Sequence, residues 1–199
     1  MAKKALSKVQ RSEPKQDVDG IGVRAKSLRI QRRLTLDRLA ELTSLSKGHL
    51  SRFERGQKSL SLAMLMRLAE ALQSSVAELL GEPAAAGKSH LSKATERTFR
   101  KTAVADGNYR FAALSRTNDP LINAFVIEVA SGDEFRSSAE AHHGGEEIFF
   151  VLEGALEIEL NQRKQRLNKG DYLQFPGLLK HNVRSLRKRS KVLVIVVQR

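Results

Sequence analysis

Residues 35–56 read TLDRLAELTSLSKGHLSRFERG, and this stretch decides the fold of the N-terminal part of the chain. Apolar residues recur at helical spacing on either side of a short break at 43–45. Thr35 and Ser46 stand immediately before the two apolar runs, where hydroxyl side chains cap helices. The stretch therefore predicts two short helices joined by a tight connection. The apolar positions are Leu36, Leu39, Leu42, Leu50 and Phe53.

The same helical spacing extends in both directions, from Ile21 to Gly81. Ser61 and Ser74 precede further apolar runs and are predicted N-caps, while Gly56 and Gly81 are predicted to end helices. Each run is too short to form a stable helix alone, so the helices must pack on one another. The sequence predicts an all-α unit of five short helices.

The two helices of residues 35–56 have the spacing of a helix-turn-helix motif, whose second helix enters the major groove of DNA. Leu50 and Phe53 must face inward, which leaves a cationic, hydrogen-bonding face on the other side. We expect Lys47, Ser51 and Arg52 to contact base edges. We expect contacts with the phosphate backbone, or close approach to it, at Thr35, Ser46, Gly48, Arg55 and Lys58. The alternative is a helical bundle whose charged face is simply solvated.

Residues 21–81 resemble the XRE/Cro/C1-type helix-turn-helix family through LxxLAxxTxLSxxxLSxxExG and the following SLxxLxRLAEAL. The resemblance implies a lambda-repressor-like five-helix domain that binds double-stranded DNA. Leu36 stands where many members have Gln, so the resemblance does not predict the backbone contact that the Gln amide makes in those members.

Beyond Phe99 the pattern changes to short runs rich in β-branched and aromatic residues, separated by turn-forming clusters such as NKGD and FPG. In ALEIEL, Leu156, Ile158 and Leu160 alternate with Glu157 and Glu159, which predicts one buried and one solvent-facing side. Closely spaced strands with glycine turns indicate an all-β jelly roll or barrel.

Within this region AHHGGEEIFFVLEG (141–154) and GDYLQFPGLLKH (170–181) resemble the two cupin motifs. The resemblance implies a cupin jelly-roll barrel with metal ligands at His143, Glu147 and His181. Ala141 occupies the family's first His position, and on a strand His142 would face the opposite side from His143. Three ligands of this type suit Zn, Fe or Mn with open coordination positions. The alternative is a metal-free pocket or a hydrogen-bonded barrel interior.

Glu147, Phe149 and Val151 alternate along EIFFVLEG and should share one face. We therefore expect Phe149 and Val151 to line an effector pocket. No residue identifies the effector.

Composition places limits on the whole chain. It has 199 residues, a formal net charge of +13 and a pI near 10.3, which favours a polyanionic partner. There is no cysteine, no apolar run of transmembrane length and no secretory signal, so we expect a cytoplasmic protein with no membrane partner. The predicted organisation is a disordered basic arm at 1–19, a DNA-binding domain at 20–81, a linker at 82–98 and a cupin-like domain at 99–199.

These features predict a sequence-specific transcription regulator, more specifically a non-enzymatic repressor. We expect a homodimer held by its barrels, with recognition helices about 34 Å apart on a pseudo-palindromic site. A small-molecule effector in the barrel would change operator affinity. Two alternatives stay open: a constitutive antitoxin-like DNA binder whose barrel only dimerises, and a metal-dependent cupin enzyme tethered to DNA.

Overall fold

The computed structural model describes residues 18–82, 89–101, 109–117, 119–131 and 142–198. Within these residues, five α-helices precede one 3-10 turn, η1, and nine strands. The helices are α1 Val18–Gln31, α2 Leu36–Thr43, α3 Lys47–Glu54, α4 Leu62–Ala71 and α5 Val76–Leu79, and η1 is Ala94–Glu96. The strands are β1 Arg100–Lys101, β2 Tyr109–Ala113, β3 Ile122–Ala130, β4 Glu146–Glu153, β5 Ala155–Leu160, β6 Arg163–Asn168, β7 Tyr172–Pro176, β8 His181–Ser185 and β9 Arg189–Val197.

The predicted N-terminal arm lies outside the described residues up to position 17. Helix α1 begins at Val18, inside the range assigned to the arm. Residues 83–88 of the predicted linker also lie outside the described residues. No helix in the described part of the chain is long and apolar enough to cross a membrane.

Three of the four predicted N-caps are confirmed. The hydroxyls of Thr35, Ser46 and Ser61 each accept a hydrogen bond from a backbone N–H in the first turn of the helix that follows. The prediction of Ser74 is wrong, because Ser75 has the extended backbone and accepts from the N–H of Glu78. The Ser74 hydroxyl lies one residue too early and instead donates to the Glu78 carboxylate.

The helices pack around a shared apolar core, and α1 lies very close to α3. A Cβ at Gly22 would collide with the carbonyl oxygen of Phe53, so only glycine fits at this crossing. Next to it Arg29 forms a two-point, nearly buried ion pair with Glu54, at 2.7 and 2.9 Å. The hydrogen bond and the charge of Glu54 raise the pKa of Arg29 despite its burial. Core members include Leu39, Leu50, Phe53, Leu65, Leu68 and Leu72.

Gly22→Ala is expected to destabilise the helical unit by about 1–3 kcal/mol, the usual cost of forcing an extra carbon into a packed site. The matched control is Gly48→Ala in α3, where the new Cβ would meet nothing closer than Arg52 at 3.8 Å. Replacing a helical glycine there should be neutral or stabilising. Thermal unfolding of both variants by circular dichroism tests this, and equal melting temperatures would contradict the crowded crossing.

Two antiparallel sheets form the C-terminal unit, as the jelly-roll prediction requires. One sheet has the order β1-β2-β3-β9-β4-β7 and the other β6-β5-β8. Alternate residues fill the space between them: Phe125 pairs with Val194 across β3 and β9, and Val194 pairs with Phe149 across β9 and β4. On β5, Leu156, Ile158 and Leu160 are buried, which confirms the predicted alternation.

Candidate nucleic-acid interface and candidate metal centre

Helix α3 presents a polar face to solvent. Lys47, Arg52 and Arg55 are exposed, whereas Leu50 and Phe53 on the other side are buried as predicted. Lys47 Nζ lies 2.8 Å from the Asp37 carboxylate, and Arg55 donates to the Ser51 hydroxyl. These contacts are exposed and contribute little free energy. The side chains can therefore give them up to bind a new partner.

Arg52 differs from its neighbours on this face. Within the described part of the chain it makes no ion pair or side-chain hydrogen bond, so its guanidinium is available to a guanine edge without a prior exchange. Beside it, burial and the charges of Lys58 and Arg52 lower the pKa of His49. His49 is therefore neutral at pH 7 and adds no cation to this face.

The other predicted DNA contacts surround α3. Thr35 and Ser46 cap the starts of α2 and α3, and both are exposed. The free N–H groups of helix starts favour an anion. Gly48 is exposed with open space around it, and Lys58 is exposed beyond the end of α3. These exposed positions flank α3 in the sequence and carry hydroxyl, cationic and backbone N–H groups, the chemistry that phosphates accept hydrogen bonds from.

The three predicted metal ligands meet between the two sheets. His143 precedes β4, Glu147 lies near its start in the larger sheet, and His181 begins β8 in the smaller one. Nε2 of His143 and Nε2 of His181 lie 3.0 and 3.1 Å from the same oxygen, Oε2 of Glu147. All three residues are buried, and their candidate ligand atoms lie within 4.8 Å of one another.

Backbone carbonyls fix the orientation of both imidazole rings. Nδ1 of His143 lies 2.8 Å from the carbonyl oxygen of Gly144, and Nδ1 of His181 lies 2.7 Å from that of Leu179. Each Nδ1 must donate a proton there, so a neutral ring presents an unprotonated Nε2 to the shared carboxylate oxygen. Three electron-rich atoms then converge on one point, and a cation resolves their repulsion. Carbonyl partners of this kind commonly orient metal-ligating histidines.

Without a cation, protons on the imidazole rings must balance the charge of the carboxylate, and the pKa values of Glu147 and His143 are shifted accordingly. Burial alone would raise the pKa of Glu147, but hydrogen bonds and charge from His143 and His181 lower it to about 2. Burial opposes charge on His143 as well, yet the hydrogen bond and charge of Glu147 raise its pKa overall. The carboxylate is therefore ionised at pH 7 and able to bind a divalent metal.

An aromatic and closely packed shell surrounds the ligands. The ring of Phe175 lies 5.1 Å from that of His181, and Phe149 packs on Phe175 at 5.6 Å. A Cβ at Gly177 would lie within 2.6 Å of the His143 ring, so Gly177 allows that ring its position. Phe149 and Val151 share the face of Glu147 as predicted, but both are buried in the barrel core behind the ligands.

The segment that carries His143 also contacts the helical unit. Arg67 of α4 donates to Nε2 of His142 over 3.2 Å. The Glu70 carboxylate lies beside Gly144, 3.1 Å from where a Cβ would stand, and its charge helps to raise the pKa of His143. A second contact joins α5 to the barrel, because the backbone N–H of Val76 donates to the Asn123 side chain at 3.2 Å.

Comparison with protein families identifies both units. The helix-turn-helix family matches residues 26–79, and the cupin domain family matches residues 125–197. The chain joins a helix-turn-helix domain to a cupin domain. The two matches confirm the predicted pair of folds in the predicted order.

Known proteins are similar to this chain over most of its length. The HTH-type transcriptional regulator SutR of Escherichia coli (strain K12) is 28% identical over 164 residues, which cover 80% of this chain and 84% of that protein. The crystal structure of an HTH_3 family transcriptional regulator from Vibrio cholerae is 24% identical, with a TM-score of 0.70, and covers 93% of this chain and 98% of its own. The hydroxypropylphosphonic acid epoxidase of S. wedmorenis covers 92% and 99%, at 23% identity and a TM-score of 0.47.

Sequence reasoning missed the residues that join the two domains. Arg67 and Glu70 have the pattern of an ordinary solvent-facing side of α4, and His142 is exposed as expected for its position. Their contacts span more than seventy residues of sequence, and no local pattern signals them.

Proposed function

We propose that this DNA-binding transcription regulator with a cupin domain adjusts its DNA affinity to a divalent metal, or to a small molecule bound beside that metal, at His143, Glu147 and His181. The observation that carries the proposal is the contact of Arg67 with His142, the residue next to a ligand. Zn, Fe or Mn suits two imidazoles and one carboxylate, and three protein ligands leave positions open for an effector. Repression, a homodimer and the absence of catalysis complete the proposal.

DNA recognition is assigned to α3. Lys47, Ser51 and Arg52 would contact base edges in the major groove. Thr35, Ser46, Gly48, Arg55 and Lys58 would approach the phosphates and set the register. Two copies related by a two-fold axis would place their α3 helices about 34 Å apart, one helical turn of DNA.

Arg52→Ala is expected to weaken specific binding by about 1–3 kcal/mol and to relax one base preference. The operator is first selected from random DNA with the wild-type protein, and affinities are then measured by fluorescence anisotropy. Arg163→Ala is the matched control, because it removes the same charge from an exposed position on β6 of the cupin domain. Equal losses on operator and on random DNA would make Arg52 a phosphate contact.

Coupling between the domains is the central test of the proposal. Operator affinity is measured for the metal-free and metal-loaded wild-type protein, and a difference of about 5- to 150-fold is expected for an allosteric pair of sites. Arg67→Ala should shrink that difference while metal still binds, since Arg67 is not a ligand. Lys26→Ala, at an exposed position on α1, is the charge-matched control.

Other outcomes separate the competing functions. Operator affinity that is equal with and without metal, and that stays unchanged when the metal-loaded protein is screened against a broad set of metabolites, would refute the sensor and support a constitutive, antitoxin-like binder whose barrel only dimerises. The three-ligand site also suits a cupin enzyme, and turnover of a metabolite by the metal-loaded protein would favour that alternative. None of these results decides whether α3 binds DNA, which the Arg52→Ala experiment tests separately.

A further inference from the structure

The outer side of the larger sheet carries an apolar surface of its own. We call it the outer face and define it by Ile122, Phe150, Leu152, Tyr172, Ile195 and Val197. These residues come from β3, β9, β4 and β7, which are neighbours in the sheet. Tyr172 is 56% exposed, Ile122 43% and Phe150 38%. None of them faces the ligands at His143, Glu147 and His181.

The smaller sheet of the same domain has a polar outer side, in contrast to the apolar outer face of the larger sheet. On β5 the outward positions are Glu157 and Glu159, while the inward ones are apolar, as expected for an antiparallel sheet with one wet side. On β9, Ile195 and Val197 point outward and are as apolar as the buried Val194 and Val196 that alternate with them, whereas the outward positions at the start of the strand are charged. A strand that is apolar on both sides is typical of a strand covered on both sides.

The size of the outer face fits the centre of a protein interface. Four strands spaced about 4.8 Å apart, and about five residues long at 3.4 Å each, present on the order of 300 Å² in projection. Contiguous apolar patches of a few hundred Å² mark interaction sites on otherwise soluble surfaces. A standard interface buries roughly 800 Å² on each partner, with an apolar centre and a polar rim.

The charges at the two ends of the outer face favour a second copy of the chain as the occupant. Glu146 lies at one end, opposite Val197 on β9. The other end carries Lys191 and the neighbouring Arg110 and Arg189, which outnumber the carboxylates of Glu128 and Glu153 that they contact. A two-fold axis parallel to the sheet and perpendicular to its strands brings the two outer faces together and places the acidic end of one copy against the cationic end of the other.

We infer that the outer face is the surface through which two copies of this chain dimerise. The inference deepens the proposed function by naming the surface that holds the homodimer, and it rests on that proposal only for the choice of a second copy as partner. Phe150 lies at the centre of the face, where an aromatic side chain contributes most to binding.

Sedimentation velocity of the full chain tests this inference. The wild-type protein is expected at twice the 22.2 kDa mass of one chain. Phe150→Glu should weaken the dimer at least about 30-fold, the loss expected for a central anchor. Leu91→Glu, at a position that is 77% exposed and outside the face, is the matched control and should leave the dimer intact. Tyr172→Glu is a milder second variant at the edge of the sheet.

Circular dichroism verifies that each variant is folded before its mass is interpreted. A monomeric wild-type protein, or a dimer that Phe150→Glu and Tyr172→Glu leave as strong as Leu91→Glu does, would overturn the inference. In the second case a dimer persists, so the homodimer of the proposed function survives while the assignment of the outer face fails. Dissociation of both face variants, with the control unaffected, supports it.

Discussion

Glu147→Gln will lower the affinity of the cupin domain for a divalent cation by more than about 100-fold, because loss of an outer-shell partner alone costs up to that much. The carboxylate oxygen Oε2 lies 3.0 and 3.1 Å from the two histidine Nε2 atoms, at the point where the three ligands converge. The amide keeps the shape of the side chain but removes the negative charge that balances the metal.

Co²⁺ is the probe for this experiment, because its absorption reports the number and type of ligands directly and requires no activity. The wild-type protein should bind one ion, and His143→Ala should lose it as Glu147→Gln does. Glu153→Gln, on the same strand with its side chain 71% exposed, is the control and should bind Co²⁺ normally. Unchanged affinity in Glu147→Gln, or no Co²⁺ binding by the wild-type protein, would favour the metal-free barrel.

The elements that depend on short-range pattern were predictable from the sequence. Leu50 and Phe53 face inward, and Thr35 and Ser46 cap their helices, because spacing and hydroxyl chemistry act within a few residues. The cap of α5 was predicted one residue early. Ser74 and Ser75 are equivalent in the sequence, and contacts of α5 with the distant β3 help to place the start of the helix at Val76.

The candidate metal centre was predictable in its members but not in its geometry. The cupin resemblance named His143, Glu147 and His181, and the structure brings them together from two sheets. The convergence of both rings on Oε2 depends on the carbonyls of Gly144 and Leu179, which any residue could supply. Contacts across the domains and the exposure of the outer face are likewise set by tertiary packing, which spacing along the chain does not encode.

The metal-free protein should lose stability steeply in acid because of Glu147. Its pKa falls from 4.5 in the unfolded chain to about 2 in the folded one, which corresponds to about 3 kcal/mol for a buried group. A lowered folded pKa means that this stability is fully present above pH 4.5 and is lost as the pH falls towards 2. The raised pKa of His143 acts in the opposite sense, so its contribution is present below pH 6.5 and is lost as the pH rises through the folded pKa.

Metal-free stability should therefore be greatest at about pH 4.5–6.5, whereas metal binding requires unprotonated rings and should stabilise the protein more as the pH rises. The chain has two tyrosines and no tryptophan, and Tyr109 and Tyr172 both lie in the cupin domain, so tyrosine fluorescence during urea unfolding reports that domain alone. Glu128, whose pKa is also lowered, contributes an acid-dependent background. Glu147→Gln retains that background. The free energy of unfolding is therefore plotted against pH for both proteins, and the difference between their slopes below pH 4.5 isolates the contribution of Glu147. Parallel slopes would mean that Glu147 does not gain its ionised state from the two histidines.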